Sequence, residues 1–174
     1  GQFFITNCVI NHVFHVIPGG HTQRMFGQDL NPYVYGLLTS CADYLHWGGG
    51  AWQTSRGGQG IHDAPGGGHA HVGCMIYQGD NWPKEHRGRL FTCNVHGTRV
   101  NSDQLTASGS GYAAKRVPDF LKVPDPWFRG LELAYGPDGG VFLTDWSDIG
   151  ECHDYEDIHR ENGRIYKITF GQPK

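Results

Sequence analysis

At 174 residues the chain is long enough for one domain with its own core. A net charge of −3 and the absence of a Lys/Arg run give no stripe for nucleic acid, and no apolar run is long enough to span a bilayer. With 38% hydrophobic residues, 18% charged residues and 27 glycines, the composition favours many short strands over helices.

The chain starts at Gly1 and enters a strand-like run at once (FFITNCVINHVFHV). We expect no signal peptide in this stretch and take it for a piece of a longer mature protein, a single segment over residues 1–174. Residues 30–44 (LNPYVYGLLTSCADY) are the best helix candidate, weakened by Gly36. Residues 48–68 read as a long loop, a length that is usually functional or mobile. Behind Gly66, Gly67 and Gly68 come His69 and His71, an apolar strand, the turn Asp80-Asn81-Trp82-Pro83, and a second strand leading into Asn94, His96 and Arg99. Val123-Pro124-Asp125-Pro126 is a further turn, and Gly136-Pro137-Asp138-Gly139 predicts a hairpin before Val141. Period-two alternation makes residues 163–170 the last strand.

Three segments resemble one another: Phe3-Phe4-Ile5-Thr6 before Asn7, Leu90-Phe91-Thr92-Cys93 before Asn94, and Val141-Phe142-Leu143-Thr144 before Asp145. Their offsets of 87 (94 − 7) and 51 (145 − 94) suit two units and one unit of a propeller-blade repeat. The intervening copy would be Asp43-Tyr44-Leu45-His46-Trp47, a poor match. The expected fold is therefore all-β, a β-propeller with about four blades present.

Five cysteines, an odd number with wide spacing, make no disulfide framework; we expect buried thiols with at most one bridge. Cys152-His153 lacks the partner cysteine of a haem attachment site, since position 149 is Ile. In an extended segment His69 and His71 share a face, and with His96 they could form a metal or acid/base cluster, although 11 histidines make some proximity a matter of chance. The acidic run Asp145, Asp148, Glu151, Asp154, Glu156 and Asp157 has no EF-hand spacing and reads as a solvated loop, with Asp145 set apart at a strand end. Gly109-Ser110-Gly111-Tyr112-Ala113-Ala114 matches G-x-G-x-x-A only formally, lacking a βαβ context. Arg129 could reach an anionic ligand or tether a loop.

Taken in order, HAHVGCMIYQGDNWP, HRGRLFTCNVHGTRVN, GSGYAAKRVPDFL, DPWFRGLELAYGPDGGVFLTDWSD and NGRIYKITF resemble the glucose/sorbosone-dehydrogenase-like propellers. Within them the chain is most similar to the PVC-type membrane-bound dehydrogenase branch, called haem-binding because a cytochrome c module follows the propeller. The opening ITNCVINHVFHVIPGGHTQRMFGQDLNPYVYG is typical of that branch too.

This resemblance implies a six-bladed ring that carries pyrroloquinoline quinone (PQQ), oxidises a sugar or related alcohol, and passes electrons to a c-type cytochrome domain in cis or in trans. It also implies a periplasmic or extracellular location, with any membrane association made through the parent chain. Relatives carry His-Gly-Ser-Trp-Asn-Arg where this chain has His96-Gly97-Thr98-Arg99-Val100-Asn101; the Trp is missing and the Arg sits closer. Gly130 replaces the Pro that follows the equivalent of Arg129. On this reading His96, then His69, is the expected base. Arg99, Arg129, Asn94 and Asp145 are the expected cofactor contacts, and His71 and Asp148 the expected metal ligands, with Ca2+ a candidate Lewis acid. The altered HGTR segment, with Trp47 and Trp52, instead favours a non-catalytic propeller that binds glycans or proteins as a scaffold. A third reading is a metal-binding module built on the histidines.

Overall fold

The computed structural model describes residues 1–8, 11–23, 36–43, 45–151 and 154–172, and of Trp52 the backbone alone. These residues form three antiparallel sheets. A small one pairs β1 (Phe3–Ile5) with β2 (Phe14–Val16). The largest is a four-stranded meander of β3 (His71–Ile76), β4 (Arg89–Asn94), β5 (Arg99–Ser108) and β6 (Gly111–Lys122). A three-stranded meander follows: β7 (Gly130–Tyr135), β8 (Val141–Asp145) and β9 (Arg164–Ile168). β7 packs on β3 and β4, so the two meanders stack as neighbouring blades of a propeller do.

Side-chain alternation explains why β4 is apolar on both faces. Phe91 and Cys93 face the second meander and share a core with Met75, Tyr77, Trp82, Phe128, Leu133, Val141 and Leu143. Leu90 points the other way, onto Val13 and Ala114 and the N-terminal segment. Tyr77 and Trp82 lock the two blades together. The Tyr77 hydroxyl donates to Gly139 O (2.7 Å) and accepts from Trp82 N–H (2.8 Å), while Trp82 Nε1 donates to Ile168 O (3.1 Å) on β9. The Gly136–Gly139 turn joins β7 to β8 as its composition predicts, with Gly139 at φ 74°.

Two expectations need correction. The described part of the proposed helix, residues 36–43, contains no helix. Leu38 forms a parallel bridge with Thr22, and Ala42 forms one with Ala114 on the outer edge of β6. Its backbone groups are taken by other segments, with Cys41 N–H donating to Val13 O and Ala114 N–H to Cys41 O, so no intrahelical ladder forms. The rest of that stretch, Tyr44 included, lies outside the described residues, as do Cys152 and His153. Around Asp43, the proposed middle repeat is likewise no strand; Asp43 N–H donates to Ala114 O instead. Residues 48–68 hold two short 3-10 stretches, Trp52–Gly58 and Gly60–His62. The G-x-G-x-x-A segment is the β5–β6 hairpin turn, which accords with discounting it. Among the described residues Cys41, Cys74 and Cys93 are free thiols.

Candidate functional site

Three consecutive glycines organise the polar interior. Gly66, Gly67 and Gly68 all have positive φ, and a Cβ on them would collide with His46, Arg99 and His96 respectively. Their bare backbone thus lets three large polar side chains pack against one strand-entering loop. The consequence is that His69 and His71 do not share a site: one turns toward His96, the other toward His12 and His46.

The first group lies where the β4–β5 loop meets the loop after β8. His69 and His96 are both 3% exposed, with ring centroids 4.4 Å apart. The buried Ser55 hydroxyl makes a short hydrogen bond with His69 Nδ1 and lies 3.4 Å from His96 Nδ1. On the other side, His96 Nε2 is 3.3 Å from Glu151 Oε2, out of line for a hydrogen bond, and that oxygen is buried without a hydrogen-bond partner. Arg56 Nε approaches the same oxygen at 3.2 Å. Burial, followed by the neighbouring His69, Arg56 and Arg129, pushes the His96 pKa down to about 3. His69 is lowered for the same first reason, while burial raises Glu151 against the pull of Arg129 and Arg56. Two neutral imidazoles thus face one hydroxyl, with a carboxylate at hand for any positive charge His96 acquires.

Arg129 places that carboxylate. Its guanidinium, 5% exposed, donates to the carbonyls of Phe128, Ile149 and Gly150, fixing the loop that carries Glu151. Two of its five N–H groups are not used in these bonds. Asp145 accepts from the backbone N–H groups of Arg129 (2.7 Å) and Ser147 (2.8 Å) and from Arg164 Nε (2.8 Å). The acidic run is therefore not simply a solvated loop: Asp145, Asp148 and Glu151 are buried, and only the later members are open to solvent.

Arg99 is 2% exposed, and its five donors are all engaged within the protein. They reach Gly97 O, Asp63 O, Gly58 O, Asp63 Oδ1 and Asp119 Oδ2. Asn94 is equally occupied, donating to Gly66 O and Asn101 Oδ1 and accepting from Gly97 N–H.

The second group consists of His12, His46 and His71, all buried, with one ring nitrogen of each within 4.8 Å of the others. The sequence pairing of His71 with Asp148 is not what forms. Asp148 accepts from the backbone N–H of His159 (2.8 Å) and bonds its ring (3.1 Å), which holds its carboxyl far below the usual range. Sequence reasoning missed Ser55, Glu151, His12, His46 and Asp103. The first two come from separate loops, and His12 lies in a run dominated by its apolar neighbours.

The profile of a domain of unknown function (DUF7133) matches residues 51–171. No curated protein matches the chain. Among solved structures, a Thermus thermophilus protein provisionally described as an oxidoreductase (glucose dehydrogenase) aligns with a TM-score of 0.52 at 16% identity, over 95% of this chain and 40% of that one. The chain spans less than half of that structure, and the likeness is one of fold; it bears out the all-β, propeller-type class. Matched over most of its length, the chain belongs to the DUF7133 family.

Proposed function

We propose that this chain forms part of a propeller that oxidises a sugar or related alcohol, with His96 as acceptor of the hydroxyl proton. The observation that carries the reading is a buried, neutral His96 between a serine hydroxyl and the Glu151 carboxylate oxygen that Arg56 also approaches. Glu151 stabilises the imidazolium as it forms, and Ser55 and His69 fix the ring from the other side. The fold of the structural neighbour agrees with a dehydrogenase of this type.

The residues do not fit the whole of PQQ. Arg99 has no donor left, and Arg129 suits one anionic group rather than three carboxylates. Among the described residues no carboxylate cluster suits Ca2+. In this reading the segment supplies the proton acceptor and a quinone is held by other parts of a larger ring. The PVC-type branch, a c-type cytochrome acceptor and a periplasmic or extracellular setting belong to the same proposal. No helix among the described residues is long and apolar enough to cross a membrane.

The saturation of Arg99 favours one rival, a non-catalytic scaffold for glycans or proteins. Quinone-dependent dye reduction over a sugar panel, measured on the chain and on any longer parent, separates the two. His96→Ala lowers turnover about 100-fold or more if His96 is the base. Sugar binding without turnover in the parent protein establishes the scaffold instead.

A further inference from the structure

The geometry points to a structural zinc site at His12, His46 and His71, independent of the dehydrogenase reading. The three rings come from three separate segments, before β2, before the 3-10 stretches and at the start of β3, and all are at most 1% exposed. Their centroids are 4.2 Å (His12–His71), 4.7 Å (His12–His46) and 5.2 Å (His46–His71) apart. Ligand atoms around a tetrahedral zinc stand about 3.3 Å apart. The ring nitrogens lie within 4.8 Å of one another, wider than that value, so binding an ion would draw the rings together.

The surroundings also suit a metal. His46 Nδ1 faces Pro65 O at 3.1 Å, the backbone bond that commonly sets a ligating ring's tautomer and leaves Nε2 for the metal. Asp103, fully buried on β5, puts Oδ2 3.2 Å from that Nε2, while its Oδ1 has no hydrogen-bond partner. His71 Nδ1 is a second buried polar atom without one. Interior polar atoms are seldom left in this state, and a cation held by the three rings accounts for unpartnered nitrogen in their midst. Next to His12, the β-branched Val13 is held at φ 55° with its side chain fully buried, a strained backbone of the kind that persists at sites the structure over-determines. Three imidazoles, one of them backed by the Asp103 carboxylate, select a borderline divalent ion such as Zn2+ over Ca2+, and full burial marks a structural rather than a catalytic site. His12 and His46 precede the stretch matched by the family profile, and His71 lies within it, so the metal would tie the N-terminal segment to the first full blade.

The test is metal analysis of the whole chain after exhaustive dialysis, with Co2+ substitution followed by visible absorption. One zinc per chain and an intense tetrahedral Co2+ spectrum are expected. His46→Ala and His71→Ala should each weaken binding about 100-fold, while His96→Ala, in the other histidine group, retains the metal. A folded wild-type chain that binds neither zinc nor Co2+ at micromolar concentration overturns the proposal. So does a Co2+ spectrum that survives His71→Ala or disappears in a folded His96→Ala. Should a histidine variant fail to fold, the wild-type stoichiometry and spectrum decide.

Discussion

Asn94 and Asp145 hold the same place in successive blades: each ends the second strand, and each turns a side-chain oxygen onto the loop that follows. Asn94 Oδ1 accepts from Gly97 N–H at 3.0 Å, and Asp145 Oδ1 accepts from Ser147 N–H at 2.8 Å. The loops fixed in this way carry His96 in one blade and Glu151 in the next, and those two side chains meet.

Asp145→Ala leaves two buried backbone N–H groups and the Arg164 guanidinium short of an acceptor. A loss of about 2–4 kcal/mol is expected in urea unfolding. Asp145→Asn keeps one acceptor and should lose less. Equal losses for the two variants would show that the carboxylate does not organise the loop.

The pH dependence of stability follows from His96, whose pKa falls from 6.5 to about 3 on folding. Below pH 6.5 the unfolded chain takes up a proton that the folded chain refuses. This contribution is therefore complete above pH 6.5 and is lost as the pH falls toward 3, at no more than about 1.4 kcal/mol per pH unit. His69 acts in the same direction. Glu151, raised on folding, acts oppositely: the folded form gains its proton first and is relieved near and above pH 4.5. Urea midpoints between pH 7.5 and 5.5 should fall with pH, and His96→Gln should flatten the slope. A flat wild-type profile would mean that the imidazole is solvated.

Tyr77→Phe removes one hydroxyl that serves Gly139 O and the N–H groups of Asn81 and Trp82. We expect a cost of about 1–3 kcal/mol, measured by thermal unfolding, against under about 0.5 kcal/mol for the exposed Tyr135→Phe. Similar costs for the two would deny the hydroxyl its joining role.

Arg99→Lys should destabilise by about 2–4 kcal/mol, because an ammonium cannot reproduce the planar fork that reaches Asp63, Asp119 and three carbonyls. Gly67→Ala, whose Cβ would strike the same guanidinium, should fail similarly. If Arg99→Lys is neutral in stability but weakens binding of an anionic ligand, the guanidinium is a ligand contact after all.

The strands and turns were legible because their signals are local. Alternation marked β9, Pro-Asp-Gly marked the β7–β8 turn, and the offset of 51 between Asn94 and Asp145 reported equivalent blade positions. His69 and His71 were misjudged as a pair because the period-two rule applies within a strand, and β3 begins only at His71, after the glycines. The partnership of His71 with His12 and His46 spans 59 and 25 residues (71 − 12 and 71 − 46), and no periodicity reaches so far. The meeting of Ser55, His96 and Glu151 was hidden for the same reason.

Cys93 lies on β4 with no exposure, and a Cβ on Gly130 of β7 would stand 3.1 Å from its sulfur. Burial raises its pKa far above that of a free thiol, so the nucleophilic thiolate is suppressed while the blades stay closed. The rate at which an alkylating reagent modifies this sulfur therefore reports how often neighbouring blades part, a clock for inter-blade breathing already built into the sequence.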